Sequence, residues 1–219
     1  MQIEYTDDHN YLWSQFALDD FTHQSFWVFD VEATGIDFPS EQVTQLGGVS
    51  VSNGRIDAAS TFNSFVRPNK PIPETIQRLT GITQQQVEAA PNFAEIFPRF
   101  LEKCHGHILV TQCGYEFDYP ILQAECQRHG LTFPSLICLD TKAIFAYLHP
   151  ELTSNFSTDF LVSFYEIDSG GLKRHDALGD ALLIGLILCA EVEEAKNKGI
   201  TAIRVDDVIK VKRFVLLPL

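Results

Sequence analysis

Residues 25–35 read SFWVFDVEATG, and this stretch predicts the centre of the fold. Its first part, residues 25–31, is almost entirely β-branched or aromatic, a composition typical of a strand that is buried on both faces. Side chains alternate along a strand, so Asp30 and Glu32 project to the same side of the predicted sheet. The Thr-Gly turn that follows places both carboxylates at the C-terminal end of the strand, where ligands bind in open α/β sheets.

Two neighbouring carboxylates on a buried strand repel each other and are poorly solvated unless a cation compensates them. Hard oxygen ligands of this kind favour Mg²⁺ or Mn²⁺. Taken alone, an Asp-x-Glu pair fits equally well with two acids at an exposed strand end. The motif therefore predicts a metal site only together with other acidic residues.

The hydrophobic pattern on either side of this strand predicts a mixed α/β sheet. Two further strands are joined by an Asn-Gly turn, which is a strong hairpin signal. The predicted strands span about residues 42–51, 55–66, 107–111 and 135–139. The predicted helices span about residues 116–128 and 177–197, and a short helix is predicted over residues 8–20. Residues 208–217 have a strand-like pattern.

The chain contains no linker long enough to divide it, so one principal domain is expected. We predict that residues 25–195 form this domain. Residues 1–24 are expected to be a partly helical N-terminal extension. Residues 196–219 are expected to be a basic C-terminal extension that packs on or beside the domain.

Composition excludes several classes of protein. The 219 residues are 45% hydrophobic and include 17 Phe, which excludes a disordered chain. The longest apolar run, Ala181–Ala190, is much shorter than the roughly 20 residues of a membrane span. The first ten residues lack the basic and apolar regions of a secretory signal. Five cysteines without a CxxC pair indicate reduced thiols, and a cytoplasmic protein is expected.

The charge is strongly negative and uneven. The formal net charge is -13, and residues 1–41 contain nine acids and no Lys or Arg. Residues 196–219 instead contain six basic and two acidic residues. By itself this balance argues against tight binding to a polyanion such as nucleic acid.

Two further acidic motifs follow the first. Asp118 lies in the first turn of a predicted helix, directly after a short apolar strand, where a carboxylate would also suit the helix dipole. Asp180 opens a helix that is otherwise apolar, so its carboxylate is expected to face the interior or a cleft. His175 precedes it by five residues and could reach the same cleft as a proton carrier, or remain a solvated loop histidine.

These motifs, in this order, resemble those of the DEDDh 3′→5′ exonucleases, a family that includes the bacterial proofreading epsilon subunit and RNase T. The resemblance extends over about Phe26–Cys189. It is carried by FDVEATG at 29–35, EFD at 116–118 and HxAxxD at 175–180, with further similarity in VRPNK at 66–70, LTGIT at 79–83 and LDT at 139–141. Each motif is weak alone, but the ordered set is specific.

The resemblance implies a ribonuclease H-like fold, a mixed five-stranded sheet flanked by helices. It also implies two Mg²⁺ or Mn²⁺ ions held by Asp30, Glu32, Asp118 and Asp180, with His175 as general base. The residues that would contact the terminal nucleotide are Ala33, Thr34, Gly35, Ile36 and Thr80. The chain departs from the family pattern at two places. Many members have His-Asn where this chain has Cys113-Gly114, and histidine where it has Thr80. Both departures affect expected substrate contacts rather than metal ligands.

The expected activity is release of nucleoside 5′-monophosphates from single-stranded DNA or RNA 3′ ends. An RNA-trimming exoribonuclease shares this mechanism, because DNA and RNA are distinguished by 2′-hydroxyl contacts. A third interpretation is a non-catalytic module that binds a polymerase or another protein. The presence of all five polar motif residues counts against this interpretation. Two divalent ions would also offset the negative charge of the protein where a phosphate binds. Any affinity for more distant parts of the strand would then come from the basic tail or from a partner protein.

Overall fold

The computed structural model describes residues 1–213. Its strands are β1 (Gln2–Asp7), β2 (Asn10–Ser14), β3 (Phe16–Leu18), β4 (Ser25–Ala33), β5 (Val43–Ser52), β6 (Arg55–Phe65), β7 (Ile108–Thr111), β8 (Cys138–Asp140), β9 (Ile203–Val205) and β10 (Ile209–Lys212). Its helices are α1 (Glu74–Thr80), α2 (Gln84–Glu88), α3 (Phe93–Cys104), α4 (Asp118–Arg128), α5 (Thr141–Leu148), α6 (Thr158–Phe164) and α7 (Ala177–Asn197). None of the helices in the described part of the chain is long and apolar enough to cross a membrane.

The central sheet has five strands in the order β6-β5-β4-β7-β8, which confirms the predicted mixed sheet. Strands β4, β5 and β6 pair antiparallel, whereas β7 and β8 continue the sheet parallel to β4. The predicted hairpin turn is present between β5 and β6. Both Asn53 and Gly54 have positive φ, at 55° and 71°, as a tight two-residue hairpin turn requires.

Strand β4 is buried on both faces, as its composition predicts. Phe26 and Val28 belong to a hydrophobic cluster that includes residues of α5 and α7. Trp27 and Phe29 belong to a second cluster, which includes residues of α3 and α4. By the same alternation Asp30 lies on the α7 side of the sheet, at the end of the strand.

Helix α7 spans the residues that the sequence predicts and packs closely against the sheet. A Cβ atom on Gly47 of β5 would lie 2.2 Å from the carbonyl carbon of Ala177, so only glycine allows this approach. The side chain of Gln45, also in β5, accepts the N–H of Ala177 at 3.1 Å and donates to Asp176 at 3.2 Å. The start of α7 is therefore held directly over β5.

The helix predicted over residues 8–20 is wrong, because these residues form strands β2 and β3. Tyr11 and Trp13 are fully buried while their neighbours are partly exposed, which is the period of a strand. Residues Phe21–His23 form a single 3-10 turn. Pairing with other strands decides the outcome, since β2 pairs with both the adjacent β1 and the distant β10, and β3 pairs with the distant β9.

The strand-like pattern at residues 208–217 is confirmed for Ile209–Lys212. Residues 214–217 of that prediction lie outside the described residues. The helix predicted from about residue 116 begins at Asp118, and the strand predicted over 135–139 is shorter and later, at Cys138–Asp140. It lies beside β7, and Leu109, Val110 and Thr111 pair with its three residues.

Candidate active site

A pocket of about 410 Å³ opens at the C-terminal end of β4. All five polar residues expected from the sequence motifs line it, namely Asp30, Glu32, Asp118, His175 and Asp180. Ligand atoms of Glu32, His175 and Asp180 lie within 4.8 Å of one another, the spacing of groups that can hold a metal ion. The structure thus brings together residues that are up to 150 positions apart in the chain.

The parallel arrangement of β4 and β7 explains how Asp118 reaches the pocket. Both strands end at the same edge of the sheet, and α4 begins at Asp118 shortly after β7 ends. The hydroxyl of Thr111, the last residue of β7, donates to Asp118 Oδ2 at 3.1 Å. This contact orients the buried carboxylate toward those of β4.

The loop before α7 positions the last two site residues. Asp176 caps the helix and accepts the N–H of Gly179 at 3.1 Å. His175 has a positive φ of 55°, and its N–H donates to Asp180 Oδ2 at 2.6 Å. Arg174 Nε donates to the other oxygen, Asp180 Oδ1, at 2.7 Å. Both oxygens of Asp180 are therefore oriented by the backbone and side chain of the same loop.

Burial and mutual repulsion make it unfavourable for all of these carboxylates to be charged without a cation. Burial, followed by the charges of Asp118 and Glu32, raises the pKa of Asp30 well above its usual range. Burial, followed by the charges of Asp180 and Asp118, raises the pKa of Glu32 to about 8. The pKa of Asp118 is raised to about 7, mainly by burial. A cluster of buried oxygen donors that repel one another in this way fits hard divalent cations such as Mg²⁺ or Mn²⁺.

Four of the five residues expected to contact a terminal nucleotide line the same pocket. They are Ala33, Gly35, Ile36 and Thr80. Thr34 is the exception, since it is buried and is not among the lining residues. Its hydroxyl donates to Glu41 and accepts the N–H of Gln42 at 3.0 Å. The side chain of Thr34 therefore stabilises the turn after β4.

The departure at Cys113-Gly114 has a structural basis. A Cβ atom on Gly114 would lie 2.0 Å from Cγ2 of Thr111, so a larger residue does not fit here without rearrangement. Its N–H donates to Asp140 Oδ2 at 3.1 Å. Cys113 precedes it with a φ of 60° and lines the pocket. The backbone at Cys113 and the small size of Gly114 thus fit this segment between Thr111 and Asp140.

The residue that caps α5 and the first two residues of the helix contact residues 112–116. We call Asp140, Thr141 and Lys142 the α5 clamp. Each member contacts the 112–116 segment through its side chain: Asp140 accepts from Gly114, Thr141 donates to Gln112, and Lys142 Nζ donates to Glu116 Oε1 at 2.6 Å. All three clamp residues are fully buried. The clamp therefore anchors the segment that leads to Asp118.

Sequence reasoning missed several residues of the pocket. Arg174 and the Ser157–Asp159 segment line it, together with Ile76, Leu79, Gln112 and Phe117. The Ser157–Asp159 segment carries no charge pattern that distinguishes it from a surface loop. Arg174 was detectable, because it directly precedes His175.

The sequence and fold match known nucleases. The RNase_T family model, described as an exonuclease, matches residues 27–188. A PolC-type DNA polymerase III of Caldanaerobacter subterraneus subsp. tengcongensis is 33% identical over 178 residues, which are 81% of this chain and 12% of that protein. A DNA polymerase III subunit epsilon-like protein of Rhodobacter capsulatus is 31% identical over 179 residues, 81% of this chain and 25% of that protein. The chain thus spans a quarter or less of the length of these relatives.

Solved structures share the fold at low sequence identity. The nuclease domain of 3′hExo, a DEDDh family member bound to rAMP, has a TM-score of 0.70 and 19% identity, covering 84% of this chain and 97% of that one. Exonuclease I of E. coli in complex with a dT13 oligonucleotide has a TM-score of 0.66 and 14% identity, covering 80% and 42%. Because the family model spans most of the chain, this chain belongs to the RNase_T exonuclease family.

Proposed function

We propose that this protein is a metal-dependent 3′→5′ exonuclease that removes nucleotides from single-stranded DNA ends. The observation that carries the proposal is the convergence of four carboxylates and His175 in one pocket. The two relatives described above match over most of this chain and are DNA polymerase III proteins, which favours DNA over RNA as the substrate. Their names also favour a polymerase as a protein partner.

Asp30, Glu32, Asp118 and Asp180 would hold the two divalent ions. When bound, such ions supply Lewis-acid stabilisation of the charge that develops on the attacking and leaving oxygens. The four side chains would hold the ions at fixed positions, because β4, α4 and α7 fix these side chains at one end of the sheet.

His175 would act as the general base. It would take a proton from the attacking water while the new bond forms between the water oxygen and phosphorus. The bond between phosphorus and the 3′ oxygen of the preceding nucleotide breaks, and that oxygen takes a proton from solvent. The products are a nucleoside 5′-monophosphate and a strand one nucleotide shorter. His175 is exposed beside Glu32 and Asp180, so it can return its proton to solvent.

The apolar side of the pocket would receive the terminal nucleotide. Ile36 and Ala33 lie on one wall, and Thr80 lies at the end of α1 on another. The hydroxyl of Thr80 is already engaged with the carbonyl of Ile76 and the N–H of Ile82, each at 3.0 Å. Thr80 would therefore contact the nucleotide mainly by packing.

The test is digestion of 5′-labelled single-stranded DNA, duplex DNA and RNA with Mg²⁺, Mn²⁺ or EDTA. We expect stepwise shortening of single-stranded DNA that requires a metal and stops in EDTA. Asp30→Asn and His175→Ala should each abolish digestion, but only Asp30→Asn should weaken Mn²⁺ binding measured by calorimetry. Asp207→Asn, a change of an exposed acid, is the control. Lack of digestion of every substrate contradicts the proposal, and preferential digestion of RNA assigns the RNA-trimming activity instead.

A further inference from the structure

The pocket contains a cation that the proposed chemistry does not use. Arg174 is the one Lys or Arg among the pocket-lining residues of the described chain. Five carboxylates line the same pocket, those of Asp30, Glu32, Asp118, Asp159 and Asp180. A nucleic-acid strand carries one negative charge per linkage, so this guanidinium is the side chain in the pocket that is best suited to attract it.

Two carboxylates hold the guanidinium in a defined orientation. Arg174 Nε donates to Asp180 Oδ1 at 2.7 Å, and Nη1 donates to Asp159 Oδ1 at 2.9 Å. The side chain is 41% exposed, whereas Asp180 is 12% exposed and Asp159 is 87% exposed. The guanidinium therefore bridges a buried carboxylate of the site and an exposed one at its entrance.

This orientation leaves part of the guanidinium available for a ligand. Arginine has five N–H donors in a rigid plane, and the two carboxylates use only Nε and Nη1. Nη2 donates no hydrogen bond to any residue from 1 to 213. Because Asp159 is mostly exposed, its pairing with Arg174 is weak and readily exchanged for a phosphate oxygen.

We propose that Arg174 is a substrate-binding residue, whose guanidinium donates to a phosphate oxygen of the bound strand from beside Asp180. This inference rests on the proposed function, because it requires a nucleic-acid strand in the pocket. The planar fork suits bidentate contact with a phosphate, which lysine cannot reproduce. Asp159 acts as the resting partner of the guanidinium, and the substrate phosphate replaces it.

Binding of a fluorescein-labelled single-stranded DNA tests this role by anisotropy, with Ca²⁺ replacing Mg²⁺ and strand integrity checked on a gel. Arg174→Gln should weaken binding about tenfold, and the slope of log Kd against log salt should fall by about 0.7, the value for one phosphate contact on a single strand. Arg174→Lys should lose part of the affinity despite its charge. Arg99→Gln, which removes an exposed arginine on α3, should bind like the wild type.

Asp159→Asn separates substrate binding from a structural role. Both Asp159→Asn and Arg174→Gln break the Arg174–Asp159 ion pair, so a structural role of that pair predicts equal losses of affinity. Arg174→Gln also removes the contact with Asp180, and a structural role through Asp180 predicts weaker binding with an unchanged salt slope, which would overturn the inference. The phosphate contact instead predicts weaker binding for Arg174→Gln, and equal or tighter binding for Asp159→Asn. Parallel losses, or wild-type binding by Arg174→Gln or Arg174→Lys, would overturn the inference. If the wild type neither binds nor digests any strand, the proposed function fails as well.

Discussion

Glu191 and Glu32 are both buried carboxyl groups, but their surroundings give them different roles. Glu32 faces the pocket with other acids and His175, where a cation can compensate it. Glu191 lies on α7 within the core, and within the described residues neither of its carboxylate oxygens has a hydrogen-bond partner. A buried carboxyl group with no partner destabilises the folded state. A buried carboxyl group in a cluster of metal ligands also destabilises the metal-free protein, but metal binding requires it.

At Glu32, removal of the charge is expected to stabilise the metal-free protein. The pKa of Glu32 is about 8 in the folded state against an ordinary 4.5, so stability falls as the pH rises from 4.5 to 8. Glu32→Gln should raise the Tm at pH 8 in EDTA by about 2–4 °C, the shift for about 1 kcal/mol in a protein of this size. It should also abolish digestion and reduce the increase in Tm that Mn²⁺ causes. A lower Tm in EDTA would contradict this account of the site.

Glu191 gives a prediction that does not involve the active site. Burial raises its pKa well above the usual 4.5, so the folded state binds a proton that the unfolded state releases. Stability should therefore fall as the pH rises above 4.5. Glu191→Met should raise the Tm, and the gain should be larger at pH 8 than at pH 5. Glu193→Met, at an exposed neighbouring position on α7, should show no such difference between the two pH values.

At the scale of elements, the start of α5 links the active site to the core behind it. Lys142 is wholly buried, and its ammonium lies 2.6 Å from Glu116 and 5.9 Å from the ring centroid of Tyr11 in β2. Asp140, also wholly buried, has a pKa of about 7, raised by burial and then by Glu116. Lys142 is thus the cation that the α5 clamp places beside the buried carboxylates of Asp140 and Glu116, and Glu116 lies two residues before Asp118.

Loss of this cation should be costly. Lys142→Met leaves Glu116 buried without its ammonium partner, and removal of one partner of a buried pair costs about 3–5 kcal/mol. Urea unfolding should show this loss, and the Mn²⁺ concentration needed for half-maximal digestion should rise because Asp118 is less well held. Addition of Glu116→Gln should recover part of the stability. Lys103→Met, at an exposed position on α3, is the control, and equal stability of the two Met variants would contradict the prediction.

At the scale of the whole molecule, the two ends of the chain share one core with the central sheet. Strand β2 pairs with β10 and β3 pairs with β9. Side chains from both ends, among them Trp13 and Val211, belong to the same hydrophobic cluster as Phe26 and Val28 of β4. Residues 1–24 and 196–213 therefore contribute to the core of the domain, although the sequence predicts them as extensions.

Removal of both ends should prevent stable folding. A fragment of residues 25–195, the predicted exonuclease domain, would expose the cluster that Tyr11, Trp13 and Val211 cover. Truncation of a single large core side chain costs about 3–5 kcal/mol, and a domain is stable by only about 5–15 kcal/mol. We expect no cooperative thermal transition by circular dichroism, in contrast to the full chain of 219 residues. A fragment that unfolds cooperatively near the Tm of the longer chain would contradict this expectation.

The sequence by itself determined the central strand, the hairpin, helix α7 and the identity of the acidic residues. Each of these depends on local information: a β-prone run at 25–31, an Asn-Gly turn, and an apolar helix that Asp180 opens. Strand alternation also correctly placed Asp30 and Glu32 on one face. These features could be predicted because their causes lie within a few residues of one another.

Only the tertiary structure decided how the ends of the chain fold and what surrounds the acidic residues. Residues 10–14 form a strand because β1, next to them in the chain, and β10, nearly 200 residues away, supply the hydrogen bonds and the core covers Trp13. Likewise, Thr34 is turned away from the pocket by Glu41, and Arg174 is turned into it by Asp159 and Asp180. Such outcomes depend on strand pairing, burial and side-chain contacts, which override local preference and which the residue pattern alone does not show.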